Sequence, residues 1–244
     1  MHIANFAIHP AAVLFWVTAA LAADPILPVF DPASFARHKP NPYVSLEIGA
    51  RQILSGTGTE NGVGLTETTR QIVTGPGPEL MGVQTTQILD EALQNGKLVE
   101  RSFDYYATDI DGNLWYFGEE VTNYRYDAAG NFTGTDTASA WRAGVNGAQP
   151  GIAVPGKPEV GLALFQEHAP ADKATDYFEV VATDAVVTGP GGSFDHVLQL
   201  FETSQSEPDM REFKFFARSK GLVRAESGLS PAQDNPTLVV ETLP

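Results

Sequence analysis

From Tyr43 onward, no stretch of this chain carries apolar residues at the i, i+3, i+4, i+7 spacing of a helix over helical length. Short β-rich runs follow one another instead. Leu162-Ala163-Leu164-Phe165, Phe178-Glu179-Val180-Val181, Val197-Leu198-Gln199-Leu200-Phe201 and Glu212-Phe213-Lys214-Phe215-Phe216 are each bounded by Gly, Pro, Asp or Ser. Thr86 to Leu93 reads either as a strand running into a bulge or as a short helix. Turn chemistry marks the hairpins. Asn95-Gly96 is a two-residue turn of the kind that needs positive φ, and Asp111-Gly112-Asn113, Ala129-Gly130-Asn131 and Gly189-Pro190-Gly191-Gly192 each separate two β-rich runs. Consecutive hairpins make an antiparallel meander. Burying one face of about ten such strands is simplest in a strongly curved sheet or open barrel, so the expected class is all-β.

The segments before Tyr43 differ. Ala11 to Ala23 is apolar apart from Thr18 and contains Ala20-Leu21-Ala22, the pattern of a signal-peptide core followed by a small-x-small cleavage site. Residues 1–22 are therefore expected to be a signal peptide cut before Ala23, which places the mature protein in the periplasm or outside the cell, without membrane insertion. Residues 23–42 form a lead-in whose five prolines (Pro25, Pro28, Pro32, Pro40, Pro42) do not suit a central strand or helix. It is expected to be extended, with one short helical turn around Ser34 to Arg37. Residues 43–244 are expected to be a single β-rich domain. The Gly/Pro-rich stretch Gly144 to Pro158 is either a joint between two halves or a long loop.

Composition removes whole classes of function. A formal charge of −15, from 30 Asp+Glu against 15 Lys+Arg, argues against nucleic acid and against anionic membrane surfaces as partners. The absence of cysteine removes thiolate nucleophiles, Cys-ligated zinc and disulfides together. No Gly-x-Ser-x-Gly elbow occurs, and the Gly/Pro clusters lack the Lys of a phosphate loop. His38, His168 and His196 are scattered, which makes a weak case for zinc.

Four constellations remain. Asp109, Asp111, Asn113 and Glu120 occupy positions 1, 3, 5 and 12 of a twelve-residue calcium loop, but Leu114 stands where that loop needs glycine. The alternative is an ordinary Asx-capped hairpin, and calcium is the one cofactor the residues suggest. In Glu119-Glu120, period two puts Glu119 with Trp115 and Phe117, and Glu120 with Leu114 and Tyr116. One of the two then lies on the core side unless the strand ends at Gly118. In Gln166-Glu167-His168, Gln166 and His168 share a face with Leu164, and Glu167 shares one with Phe165. Glu119 and Glu167 facing each other would be the two carboxylates of glycoside hydrolysis, with Tyr106 or His168 as helper. A polar network that fixes strand register is the bland counterpart. Lastly, Tyr105, Tyr106, Trp115, Tyr116, Phe117, Tyr124 and Tyr126 crowd a short stretch, suiting either sugar stacking or core packing.

Asn41-Pro42-Tyr43-Val44-Ser45-Leu46, the run Tyr105 to Glu120, Trp141 to Ile152 and Gln166-Glu167 resemble, in the same order, blocks of a group of uncharacterised secreted bacterial proteins. Trp115-Tyr116-Phe117-Gly118-Glu119 is the most specific part. The chain departs at Ser45, where the group usually has proline, and at His168, where tyrosine is common. The resemblance spans about residues 41 to 226 and implies an exported β-rich domain with no mechanism attached.

The leading expectation is an exported binding protein for a small amphipathic or carbohydrate ligand on a concave aromatic and acidic face. Tyr105, Trp115, Tyr116, Trp141 and Gln166 would contact the ligand. The alternatives are a glycan-active hydrolase or lyase and an envelope structural or partner-binding module.

Overall fold

The computed structural model describes residues 24–60, 62–229 and 236–243. The expected signal peptide lies outside them. Among the described residues, fifteen strands form one sheet: β1 (Arg51–Glu60), β2 (Val63–Leu80), β3 (Val83–Gln94), β4 (Lys97–Thr108), β5 (Leu114–Tyr126), β6 (Phe132–Asp136), β7 (Trp141–Arg142), β8 (Gln149–Val154), β9 (Ala163–Phe165), β10 (Glu167–His168), β11 (Asp176–Gly189), β12 (Gly192–Ser204), β13 (Arg211–Ala217), β14 (Gly221–Ser227) and β15 (Leu238–Thr242). Every pairing between them is antiparallel. The order runs β10-β8-β5-β4-β3-β2-β1-β15-β14-β13-β12-β11-β9, with β6 and β7 joined to β5. The expected hairpins are all present. Asn95 and Gly96 both adopt positive φ (50° and 78°), as a two-residue turn matched to strand twist requires. Thr86 to Leu93 is strand throughout, inside β3.

The two ends of that order are consecutive in the chain. Ala163 to Phe165 pair with β11, and after a bend at Gln166 the next two residues pair with β8. One short passage thus closes the sheet into a barrel-like ring. Gly151 on β8 allows it, because a Cβ there would overlap the backbone of Phe165 and Gln166. Gly144 to Pro158 contains β8, a stave of the ring paired to β5 and β10.

Lys214 on β13 acts electrostatically on Asp90 on β3, although four strands separate β13 from β3 along the sheet. Their shared face is therefore the inside. Phe178, Val180, Leu198 and Leu200 are fully buried there, interleaved in register with Glu202 and Lys214. Each such apolar side chain contributes about 1.5–3 kcal/mol by leaving water.

The lead-in packs against the strands. Residues 24–50 cross one end of the barrel as a strap. Ile26 bridges β9 at Leu164. The chain then makes a 3-10 turn at Pro32–Phe35, slightly earlier than expected, capped by Asp31. Phe30 and Phe35 pack edge-on against Trp115 and Phe117 at 5.7–5.9 Å. Further on, Lys39 donates to the carbonyl of Asp109 beyond β4, and Ser219 and Gly221 beyond β13 donate to Pro42 and Tyr43. Asn41 pins the middle: its Nδ2 donates to the carbonyls of Gly112 (2.8 Å) and Val154 (3.1 Å), and its Oδ1 accepts from the N–H groups of Tyr43 and Val44.

Candidate functional site

The site begins with a bulge. Along β4 and β5, Tyr106 pairs with Tyr116, but Asp104 pairs with Glu119, so β5 carries one extra residue between them. Gly118 absorbs it at φ 125°. The bulge overturns the simple alternation. Glu119 leaves the face of Trp115 and Phe117 and joins Tyr116, Tyr106 and Asp104 inside, while Glu120 turns outward to an ion pair with Arg142.

The inner face around Glu119 is acidic. Burial, reinforced by the charges of Asp104 and Glu167, raises the Glu119 pKa to about 9 against a hydrogen bond from Tyr116. Burial and Asp90 raise Asp104 to about 8, although Ser102 donates to it at 2.6 Å. Asp90 rises to about 6, chiefly by burial, with Gln71 donating at 2.6 Å. Burial and the charge of Asp176 push Glu167 upward as well. On the opposite wall Lys214 lies 2.6 Å from Glu202 and 3.5 Å from Glu212. Burial works against its ammonium, but these carboxylates together with Asp176 outweigh burial and keep it protonated. The Lys214 side chain is still 30% exposed, while Glu202 beside it is 5% exposed.

Aromatic groups share this face. The rings of Tyr106 and Tyr116 stack at 4.7 Å and 16°. Trp141 on β7 pairs in register with Glu119 and meets Tyr116 edge-on at 5.4 Å. Its buried indole N–H falls short of good hydrogen-bond geometry but faces Glu167, whose carboxyl it helps to hold down against burial. Gln166 reaches in from the closing bend and donates to Glu202 at 3.1 Å.

The expected residues therefore divide. Glu119, Glu167, Tyr106, Tyr116, Trp141 and Gln166 meet on the inner face. Gln166 and Glu167 both reach inward because the bend between β9 and β10 breaks the alternation. His168 is turned away and stacks edge-on with Phe165, which in turn meets Tyr177. Tyr105 lies on the other face of β4 beneath Arg142, and Trp115 lies under the strap.

Asp109, Asp111, Asn113 and Glu120 are not brought together. The Asp109 carboxylate accepts from the N–H groups of Asp111 and Asn113, from Asn113 Nδ2 and from Trp115 Nε1, all at 2.8–2.9 Å. Asp111 pairs with Lys157, and Asn113 accepts from Gly156. Glu120 is carried away by the length of β5 to Arg142. The loop closes as an Asx-capped hairpin. Among the described residues, no three His, Asp or Glu side chains converge as a metal site would need.

Asp90, Asp104, Asp176, Glu202 and Lys214 were not singled out from the sequence. The signal was present in Glu212-Phe213-Lys214-Phe215, but alternation does not say which of two faces is inside. A charged face beside a phenylalanine face reads naturally as solvent.

A groove of about 960 Å³ lies between the strap and the rim of β2 to β4, lined by Tyr43, Leu46, Pro76, Val83, Thr86 and Thr108 among others. It is not the acidic region itself. Its lining includes Thr86, the register partner of Tyr106, but neither Tyr106 nor Tyr116.

No family model and no curated protein matches the chain. Among solved structures, it is similar to a candidate exported protein with a YmcC-like fold from Bacteroides fragilis, at 13% identity and a TM-score of 0.40 over 84% of this chain and 96% of that one. It is also similar to a candidate lipoprotein from Parabacteroides distasonis, at 12% identity and a TM-score of 0.43 over 84% and 98%.

Proposed function

We propose that this chain is an exported, non-catalytic binding protein for a small amphipathic or carbohydrate ligand. The observation that carries the reading is the strap groove, whose lining includes Thr86, the register partner of Tyr106 in the tyrosine stack. Its size suits a small ligand, and its walls are mostly apolar, with Gln84, Thr85, Thr86 and Thr108 among the polar groups that line it. The ligand's apolar part would lie along Tyr43, Leu46 and Val83. Export rests on the apolar run at Ala11 to Ala23 and on the blocks shared with secreted bacterial proteins.

The test is native mass spectrometry of the purified protein, followed by a thermal-shift screen against oligosaccharides and lipids. The expected result is a co-purified small molecule, or a stabilising hit, that is lost in Leu46→Asp. A clean protein with no hit in either class overturns the reading.

A glycan-cleaving function is the second reading, favoured by the mutual influence of Glu119 and Glu167. Hydrolysis needs one ionised carboxylate as base or nucleophile. Burial holds both acids protonated around neutral pH, and His168 is turned away, so binding is the better fit. Release of reducing ends from an oligosaccharide, abolished in Glu119→Gln, would reverse that order.

A further inference from the structure

We infer that the strap groove takes a single aliphatic chain with an anionic end, a fatty acid, its carboxylate at Arg218. This rests on the binding reading above and names the ligand class. Three observations carry it.

The first is the floor. Tyr43, Val83 and Ala107 are buried members of the main core cluster, and Phe35, Val44 and Leu46 pack against that cluster while still lining the groove. The groove is thus a strip where the core comes to the surface. An aliphatic chain laid on it removes apolar area from water on both sides.

The second is that polar side chains of the lining are already engaged with the chain's own backbone. Asn41 donates to the carbonyls of Gly112 and Val154 and accepts from two backbone N–H groups. Gln84 Nε2 donates to the carbonyls of Gly77 (2.7 Å) and Thr85 (3.1 Å), and Thr85 Oγ1 donates to that of Pro78 (2.6 Å). The hydroxyls of Thr86 and Thr108 remain, too few to replace the water stripped from a sugar. A hydrocarbon chain needs no such partners.

Arg218 is the third. Its guanidinium lies 5.1 Å over the Tyr43 ring, and the next residue, Ser219, lines the groove. Arg218 is exposed, and no carboxylate pairs with it among the described residues. A guanidinium accommodates a carboxylate through two parallel hydrogen bonds. The formal charge of −15 works against an anionic ligand, so an unpaired cation beside the floor is what such an end requires. Glu47, the one carboxylate in the lining, is exposed to water, which screens it.

The experiment is calorimetry on the purified protein with laurate, decanoate, dodecyltrimethylammonium and maltotriose, the amphiphiles kept below micelle formation. Decanoate shortens the chain by two carbons, dodecyltrimethylammonium reverses the charge of the head, and maltotriose has no chain. Laurate should bind one to one, and decanoate about tenfold more weakly for the lost carbons. Dodecyltrimethylammonium should bind at least about tenfold more weakly than laurate, the size of one charge-assisted hydrogen bond. Arg218→Gln, a change at an exposed residue, should weaken laurate about tenfold without weakening dodecyltrimethylammonium. Dodecyltrimethylammonium binding as tightly as laurate overturns the anionic end and leaves an amphipathic ligand standing. Maltotriose binding in place of laurate overturns the inference and leaves the carbohydrate reading standing. Laurate binding that Arg218→Gln does not weaken overturns the inference as well. Binding of none of the four overturns it too, and the binding reading then stands or falls by its own mass spectrometry and thermal-shift screen. The comparison of ligands on the wild-type protein needs no variant to fold.

Discussion

Gly118 lies so close beneath the backbone carbonyl of Trp141 that no Cβ fits between them. That approach, together with the positive φ of Gly118, turns β5 by one residue and brings Glu119 inside. Gly118→Ala must either push β7 away or abandon the bulge. The expected cost is on the order of 3 kcal/mol, seen as a drop of several degrees in Tm. An unchanged melting temperature would mean that the bulge is not held as described.

The inner acids set a pH dependence. Each raised carboxyl holds a proton in the folded state that the unfolded chain has released above about pH 4. Stability is therefore fully present below the unfolded pKa and is lost as pH rises through about 6 for Asp90, 8 for Asp104 and 9 for Glu119. Thermal melts should show Tm falling steadily from pH 5 to pH 10, and Glu119→Gln should melt higher than wild type at the alkaline end. A flat or rising curve would count against a dry acidic wall. Asp136, held down near 2 by Arg125, titrates below this window and does not confuse it.

Asp109 anchors the β4–β5 turn through four donors, including the Trp115 indole. Asp109→Ala leaves that buried N–H bare and should cost about 2–3 kcal/mol. The wild-type melting temperature should be the same in millimolar calcium and in excess chelator. A calcium-dependent rise would restore the metal reading of this turn.

Asn41 ties the strap to two carbonyls of the barrel rim. Asn41→Ala should free residues around it while the sheet persists, so hydrogen exchange should speed up in the strap and stay slow in β3 and β4. Uniform acceleration across both would show that the strap and barrel open as one unit.

The all-β class was legible because period two and turn chemistry are local. Asn95-Gly96 and Asp111-Gly112-Asn113 announce their hairpins without help from the rest of the chain. The site was legible only in part. Glu119, Glu167, Tyr106, Tyr116, Trp141 and Gln166 were named, but the face of Glu119 was misassigned because one glycine shifts the alternation, and nothing local says that β5 spends an extra residue there. Trp115 and Tyr105 were drawn in by the same aromatic run. Strand neighbours point to opposite sides, so a dense run must divide between two surfaces. Lys214 stayed hidden because the inside of a ring is a property of its closure, which no window of residues contains.

That closure depends on strands that lie far apart in the chain. Leu54 on β1 pairs with Thr242 on β15, near the other end of the sequence. Until β15 arrives, β1 has a neighbour on one side only and presents an open edge. Joining segments so distant carries a large loop-closure entropy and a high contact order, so completion of the ring is a late, slow step in folding. A chain of this kind needs time and protection before its last strand docks, and that interval, more than the finished barrel, is when it is open to aggregation.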